Sequence, residues 1–372
     1  MMGRHGSKFQ RRGNLGLLFA LAALTGFAWS VSGQRNSGAR MTPPSAEALN
    51  TQLARAAQPG RGRSSDAPST IPARGWWDIL YRTAQETAND RILAIAAGAA
   101  FYGLLALFPA VTALVSSYGL FASWATASDH LATLASVLPP GAFSVIQDQI
   151  TRILATNNST LSWAFAVSIC VALWGANAGM KAAIDALNVV YDEKEKRSFI
   201  VLNIVSLTMT AGMIILGCCA IALLVVTPIL LNALALGQSI ESGIALARWP
   251  LLFLGMMFSL AVLYRFGPSR RMAKWRWITP GAALASAVWL AASSGLSFYF
   301  SHFANYDAVY GSLGGLMALL IWMWMSAIVV LMGAELNSEI EHQTARDTTE
   351  GLPKPIGARG AVMADTVGEA AS

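Results

Sequence analysis

From residue 92 to residue 335 the sequence runs through six long apolar stretches separated by short polar joins, at 92–120, 163–187, 199–231, 244–266, 278–300 and 312–334. Each reaches the ~20 residues that an α-helix needs to cross the hydrocarbon core of a bilayer. The predicted fold is therefore all-α, a polytopic membrane bundle with six core transmembrane helices. The joins alternate in charge. One set carries Lys194, Lys196 and Arg197, then Arg265, Arg270, Arg271, Lys274 and Arg276; the other carries Arg152 and Arg248 and nothing basic from 301 to 311. The positive-inside rule makes the first set cytoplasmic and puts both ends of the core bundle on that side.

The longest join, 121–162, has a pattern of its own. Leu131, Leu134, Val137 and Leu138 recur at helical spacing behind Ser128 as a cap, Pro139-Pro140-Gly141 breaks the chain, and Phe143, Ile146, Ile150, Ile153 and Leu154 resume the period. This predicts two amphipathic helices in the first outer loop, which either cap the bundle or form a gate or lateral entrance facing lipid. Ahead of the core, Trp76, Trp77, Ile79, Leu80 and Thr83 alternate with Asp78, Arg82 and Glu86 over 76–90, the pattern of a short helix at the inner interface.

The flanks read differently. Residues 34–74 hold Pro43, Pro44, Pro59, Pro68 and Pro72 among Ser, Gly, Arg and Ala with no apolar period, which predicts a flexible linker. Residues 14–32 form an apolar run behind Arg4, Lys8, Arg11 and Arg12. As a signal or a seventh span this run conflicts with the charge rule, which favours a surface-lying helix or an extension from an upstream start site. Residues 343–372, with Pro353, Pro355 and scattered charge, read as a disordered cytoplasmic tail. The expected plan is 1–75 apolar run and linker, 76–342 six-span membrane domain, and 343–372 tail.

Composition narrows the function classes. At 372 residues, 55% hydrophobic and 12% charged, the chain is too apolar for a soluble domain and too sparsely charged to be disordered. The net charge of +6 resides in inner loops and the N-terminal arm, where anionic lipid and topology account for it. Membrane lipids are thus the expected partners and nucleic acid is not. Cys170, Cys218 and Cys219 fall inside predicted spans and read as small buried hydrophobes. His5, His130, His302 and His342 are far apart and assigned to different sides, and no Gly-Lys-Ser/Thr phosphate loop occurs. No catalytic, cofactor or metal site is predicted, and the chain is not read as an enzyme.

An ionisable side chain inside a span is costly and needs a reason. Asn177, Lys181, Asp185 and Asn188 share one face of the second span, forming a polar seam that opens toward Tyr191. Lys181 and Asp185 can pair at i, i+4. The two either snorkel to the headgroups or line a water-accessible cavity in which Lys181 draws an anionic group. Pro109 bends the first span by removing an N–H, and Pro280 reads as a helix-initiating residue. Tyr306, Asp307 and Tyr310 lead into Gly311, Gly314 and Gly315, a stretch that serves either tight packing or an outer gate. Small residues four apart, Gly175 with Gly179, Ala287 with Ala291 and Gly295, and Gly311 with Gly315, permit close helix contact within the bundle first and in a homo-oligomer second. Trp76, Trp77, Trp275 and Trp277 mark the inner interface, whereas Trp289, Trp322 and Trp324 read as helix-packing residues.

Ala99-Ala100-Phe101-Tyr102, Phe108-Pro109, Ala186-Leu187-Asn188 with Tyr191, Tyr264-Arg265-Phe266-Gly267-Pro268, Pro280-Gly281 with Trp289, Tyr306, Tyr310-Gly311-Ser312-Leu313-Gly314-Gly315 and Gly333-Ala334-Glu335-Leu336-Asn337 occur in order. Together they resemble the YihY/BrkB family of bacterial inner-membrane proteins over residues 76–342. The resemblance implies a six-helix inner-membrane protein without a settled activity. The family was once labelled ribonuclease BN; RNA hydrolysis requires a charged site that this pattern lacks. The expected function is transport or flipping of a lipid-like or amphipathic solute, with a non-transporting scaffold or envelope-integrity factor as the alternative.

Overall fold

The structure, a computed structural model, describes residues 46–121, 158–234, 238–302 and 313–371, all within one compact unit, Pro44–Ser372. The apolar run at 14–32, the amphipathic pair of the first outer loop, and Tyr306, Asp307, Tyr310 and Gly311 lie outside the described residues. The described elements are α1 (Ala46–Ala56), α2 (Ala73–Asn89), α3 (Ile92–Phe121), α4 (Asn158–Val190), α5 (Phe199–Leu234), α6 (Gln238–Phe266), α7 (Trp275–His302), α8 (Gly314–Gln343) and the short α9 (Val362–Asp365). Among the described residues there is no β-strand, only an isolated antiparallel bridge between Ala273 and Thr349.

Helices α3 to α8 coincide with the six predicted spans. Five of them are long and apolar enough to cross a membrane, and α3 adds a shorter apolar stretch, Ile92–Ala106. The boundaries differ most at α8, which runs on past residue 334 to Gln343. That last part is polar and buried almost all round, including Glu335, Asn337, Ser338, Glu339, Glu341 and Gln343. A helix of this composition survives burial only where its side chains find partners. It does so by forming the centre of one end of the bundle, the end that carries the α4–α5 and α6–α7 joins, called the base below.

Helix α8 packs against α2, α3, α4, α7 and α9, α3 lies along α4, and α5 rests on α4 and α6. The buried apolar core gathers toward the base, with Ile92, Leu187, Tyr191, Leu260, Tyr264, Ile278 and Ala334 closed off from solvent. Farther along the helices, Leu173, Ile204, Leu207, Ile215, Leu254 and Phe298 remain exposed, as a lipid-facing surface requires. Cys170, Cys218 and Cys219 belong to this exposed surface and not to the core, which corrects their reading as buried hydrophobes. Trp277 departs in the opposite sense: it is buried with Ile71, Ile79, Leu336 and Ile340, while Trp77 stands exposed. Trp289 and Trp322 bond Ser326 (2.9 Å) and Ser293 (3.1 Å), and Trp324 bonds the Leu93 carbonyl (2.9 Å), so these three do join helices.

Both flanks expected to be unstructured are folded where described. Arg63, buried, donates to the Gln343 carbonyl (3.2 Å) and the Gly368 carbonyl (2.7 Å), tying the proline-rich segment to the end of α8 and to the tail. In the tail, the Arg359 guanidinium donates to the carbonyls of Ala345, Arg346, Lys354 and Ala364. Asp365 accepts from the backbone N–H groups of Gly357, Arg359 and Gly360. Composition predicts disorder here because the segment has few apolar residues. A handful of polar side chains satisfies the backbone instead, and Met363, Ala364 and Val367 supply a small buried core.

Pro280 sits inside α7, a turn beyond its start at Trp275, instead of initiating it. Asn337 of α8 serves the backbone there, accepting from the Gly281 N–H (2.8 Å) and donating to the Ile278 carbonyl (2.8 Å). The bond is reachable because Gly281 and Gly333 let the two backbones meet: a Cβ on Gly281 would collide with the Gly333 carbonyl and Asn337. This explains why Pro280-Gly281 and Gly333 to Asn337 go together in one chain.

Candidate functional site

The polar seam predicted on the second span divides in two. Asn177 and Lys181 lie within the apolar length of α4, Ala166–Val190, with Lys181 about 14 Å of helix rise from Val190 at ~1.5 Å per residue. Lys181 extends toward the first turns of α5. Its Nζ donates to Asn203 Oδ1 of α5 at 2.6 Å and stands 5.8 Å from the centre of the Phe199 ring. Asn177 is 8% exposed, and its Oδ1 is buried with no hydrogen-bond partner. Asp185 is half-buried on the same helix.

Asn203, which meets Lys181, belongs to a polar stripe on α5 that was not anticipated. Asn203, Ser206 and Thr210 recur at i, i+3 and i+7 on one face of an otherwise apolar helix. Ser206 and Thr210 are buried, whereas Phe199, Ile200, Ile204, Leu207 and Ile215 of the same helix are exposed. Both hydroxyls bond their own helix, to the carbonyls of Asn203 (3.1 Å) and Ser206 (2.7 Å), so neither leaves a polar group wanting. The pattern was legible as a polar stripe in an apolar run. It was passed over because the residues are uncharged.

Asn188 belongs to the base and not to the seam. Its Oδ1 accepts from the Ser269 N–H at 2.7 Å, and its Nδ2 donates to Glu195 Oε2 at 3.1 Å. It thereby joins the α4–α5 and α6–α7 joins. Burial alone would raise the Glu195 carboxyl, but the bonds and charge of Arg197, with Asn188, hold it down to about 2. The base is further closed by the Arg270–Glu341 pair, both side chains fully buried, with bonds of 2.8 and 3.0 Å. The Arg270 guanidinium also stands 3.9 Å above the Tyr191 ring. Arg82 pairs with Glu339 and donates to Gln343 Oε1 at 2.7 Å, and Arg61 pairs with Asp78 at 2.5 Å.

Of the remaining predicted residues, Gly175 makes a tight contact: a Cβ there would stand 3.0 Å from the Ala106 Cα of α3. Gly179 faces Tyr102 at an ordinary 3.9 Å. Ala287, Ala291 and Gly295 are exposed on α7, and among the described residues nothing packs against Gly295. Pro109 lies inside the continuous helix α3, and Gly315 lies in the first turn of α8. Among the described residues no three His, Cys, Asp or Glu side chains are grouped as metal ligands would be.

Apolar helices of spanning length, a lipid-facing belt and an ionic base closing one end define a polytopic helical membrane protein. The chain belongs to the virulence factor BrkB family, whose profile matches residues 83–356. It is 30% identical to the ribonuclease-like protein YfkH of Bacillus subtilis over 243 residues, covering 64% of this chain and 86% of the relative. A UPF0761 membrane protein of Pseudoalteromonas translucida is 25% identical over 280 residues, 74% of this chain and 89% of the relative. Another from Photobacterium profundum is 24% identical over 269 residues, 71% of this chain and 81% of the relative. No solved structure matches the chain.

Proposed function

We propose that this protein moves an amphipathic, lipid-like solute across the bacterial inner membrane along the seam between α4 and α5, without acting as an enzyme. The base then faces the cytoplasm, because the basic joins lie there. The observation that carries this reading is the pair formed by Lys181, bonded to the neutral amide of Asn203, and Asn177, whose buried Oδ1 has no partner. A buried acceptor without a donor costs about 1–3 kcal/mol, which an occupant supplying an N–H or O–H removes. A headgroup with one anionic oxygen and one hydroxyl or amine satisfies both residues, the anion on Lys181 and the donor on Asn177. Phospholipids with glycerol or ethanolamine headgroups fit; a choline headgroup offers no donor.

The reading is tested with fluorescent phospholipids in proteoliposomes, following loss of signal when a membrane-impermeant reductant bleaches the outer leaflet. Wild-type protein is expected to expose the inner-leaflet pool of glycerol-headgroup lipid and to expose the choline lipid at least tenfold more slowly. Lys181→Met is expected to lower the rate for the glycerol lipid at least tenfold while its thermal unfolding midpoint stays near the wild-type value. Equal rates for wild-type protein and protein-free vesicles would reject transport of this class.

A further inference from the structure

Glu335, in the base and apart from the seam, is fully buried. Its Oε1 takes a long 3.4 Å bond from the Ser338 hydroxyl, which also bonds the Glu335 carbonyl at 2.9 Å, and its Oε2 has no partner at all. The groups that act on it are of the wrong sign for an ionised acid. Glu339 stands one turn along α8, and Glu86 and Asp90 come from the end of α2, while the Tyr191 phenol at the end of α4 is kept uncharged by burial. The guanidinium groups of the base are engaged elsewhere, Arg82 with Glu339 and Arg270 with Glu341, and the His342 ring lies against Glu339, with Nδ1 3.5 Å from its Oε1. A buried carboxylate without a cation or a full set of donors is among the most unfavourable groups a protein can hold, and it is relieved by taking up a proton.

We propose that Glu335 is a proton-binding site, holding a proton as the neutral acid at neutral pH, with Asp90 as the neighbouring carboxyl whose charge governs release. The step is a simple ionisation: the Glu335 O–H bond breaks, the electron pair stays on the carboxylate, and the proton passes to water. Asp90 suits this role. Burial, together with the facing Asp192, Glu86 and Glu339, pushes its carboxyl up to about 6, so it changes charge close to physiological pH. Each negative charge beside Glu335 favours the protonated acid, so neutralising Asp90 loosens the proton.

Infrared difference spectroscopy on the full chain in lipid nanodiscs reads this directly and needs no transport. Wild-type protein is expected to show a neutral-carboxyl C=O band at neutral pH that is lost on alkalinisation. Glu335→Gln, close in shape, is expected to lack that band while keeping the wild-type thermal midpoint within a few degrees. Asp90→Asn is expected to keep the band but lose it at a proton concentration about tenfold higher, one pH unit lower. The proposal is overturned by a wild-type spectrum without the band, by an unchanged band in Glu335→Gln, or by an unmoved midpoint in Asp90→Asn. The last outcome decides even where Glu335→Gln fails to fold.

Discussion

Replacing Glu341 with Gln is expected to destabilise the protein by about 3–5 kcal/mol, because it strands the Arg270 charge in a fully buried site. The pair makes two parallel bonds, Thr348 Oγ1 donates to Glu341 Oε2 at 2.9 Å, and the guanidinium is covered by Tyr191. Water cannot take over from the lost carboxylate oxygen, since both side chains are wholly enclosed. Breaking one partner is therefore far more harmful than removing both. The double variant Arg270→Met with Glu341→Leu is expected to regain more than half of the loss. Thermal unfolding in detergent, followed by the monodisperse fraction on gel filtration, measures both. A Glu341→Gln protein within about 1 kcal/mol of wild type would show that the pair contributes little.

Gly281→Ala is expected to be nearly as damaging, although it adds a single methyl group. The new Cβ would overlap the Gly333 carbonyl and the Asn337 side chain, and a backbone oxygen cannot swing aside as a flexible side chain does. Relief requires α7 and α8 to separate, which breaks the two Asn337 bonds that serve the α7 backbone around Pro280. Overpacking typically costs about 1–3 kcal/mol, and losing a buried hydrogen bond about 1 kcal/mol more. Gly295→Ala on the same helix is the control. Among the described residues nothing lies within 4 Å of a Cβ there, so it is expected to be neutral or to stabilise through helix propensity by at most ~1 kcal/mol. Comparable midpoints for the two variants would contradict the close α7–α8 approach.

The six spans were legible because lipid forces long apolar runs, and a run of spanning length has one reading. The extent of α8 was not legible, because hydropathy falls at Glu335 while the helix continues into a polar base built by other segments. For the same reason 344–371 read as tail: the partners of Arg359, Asp347 and Asp365 are mostly backbone groups, which composition does not display. Lys181 was visible as a charge in an apolar run, but its partner was not. The i, i+4 rule looks only along the helix, to Asp185, and does not reveal the hydrogen bond that crosses to Asn203. Asn188, on the same helical face, was assigned to the seam because periodicity records direction around a helix and not depth along it.

Accessibility of the seam to water separates a transport path from a structural contact. In a background with Cys170, Cys218 and Cys219 replaced by Ala, Asn177→Cys and Val171→Cys are each exposed to a membrane-impermeant maleimide in proteoliposomes. Val171 lies on the exposed apolar surface of α4, about a third of a turn around the helix from Asn177. The polar seam predicts that Cys at 177 is labelled at least tenfold faster than Cys at 171, and that a glycerol-headgroup lipid of short chain length slows the labelling. Equal, negligible labelling at the two positions would contradict a water-filled path between α4 and α5.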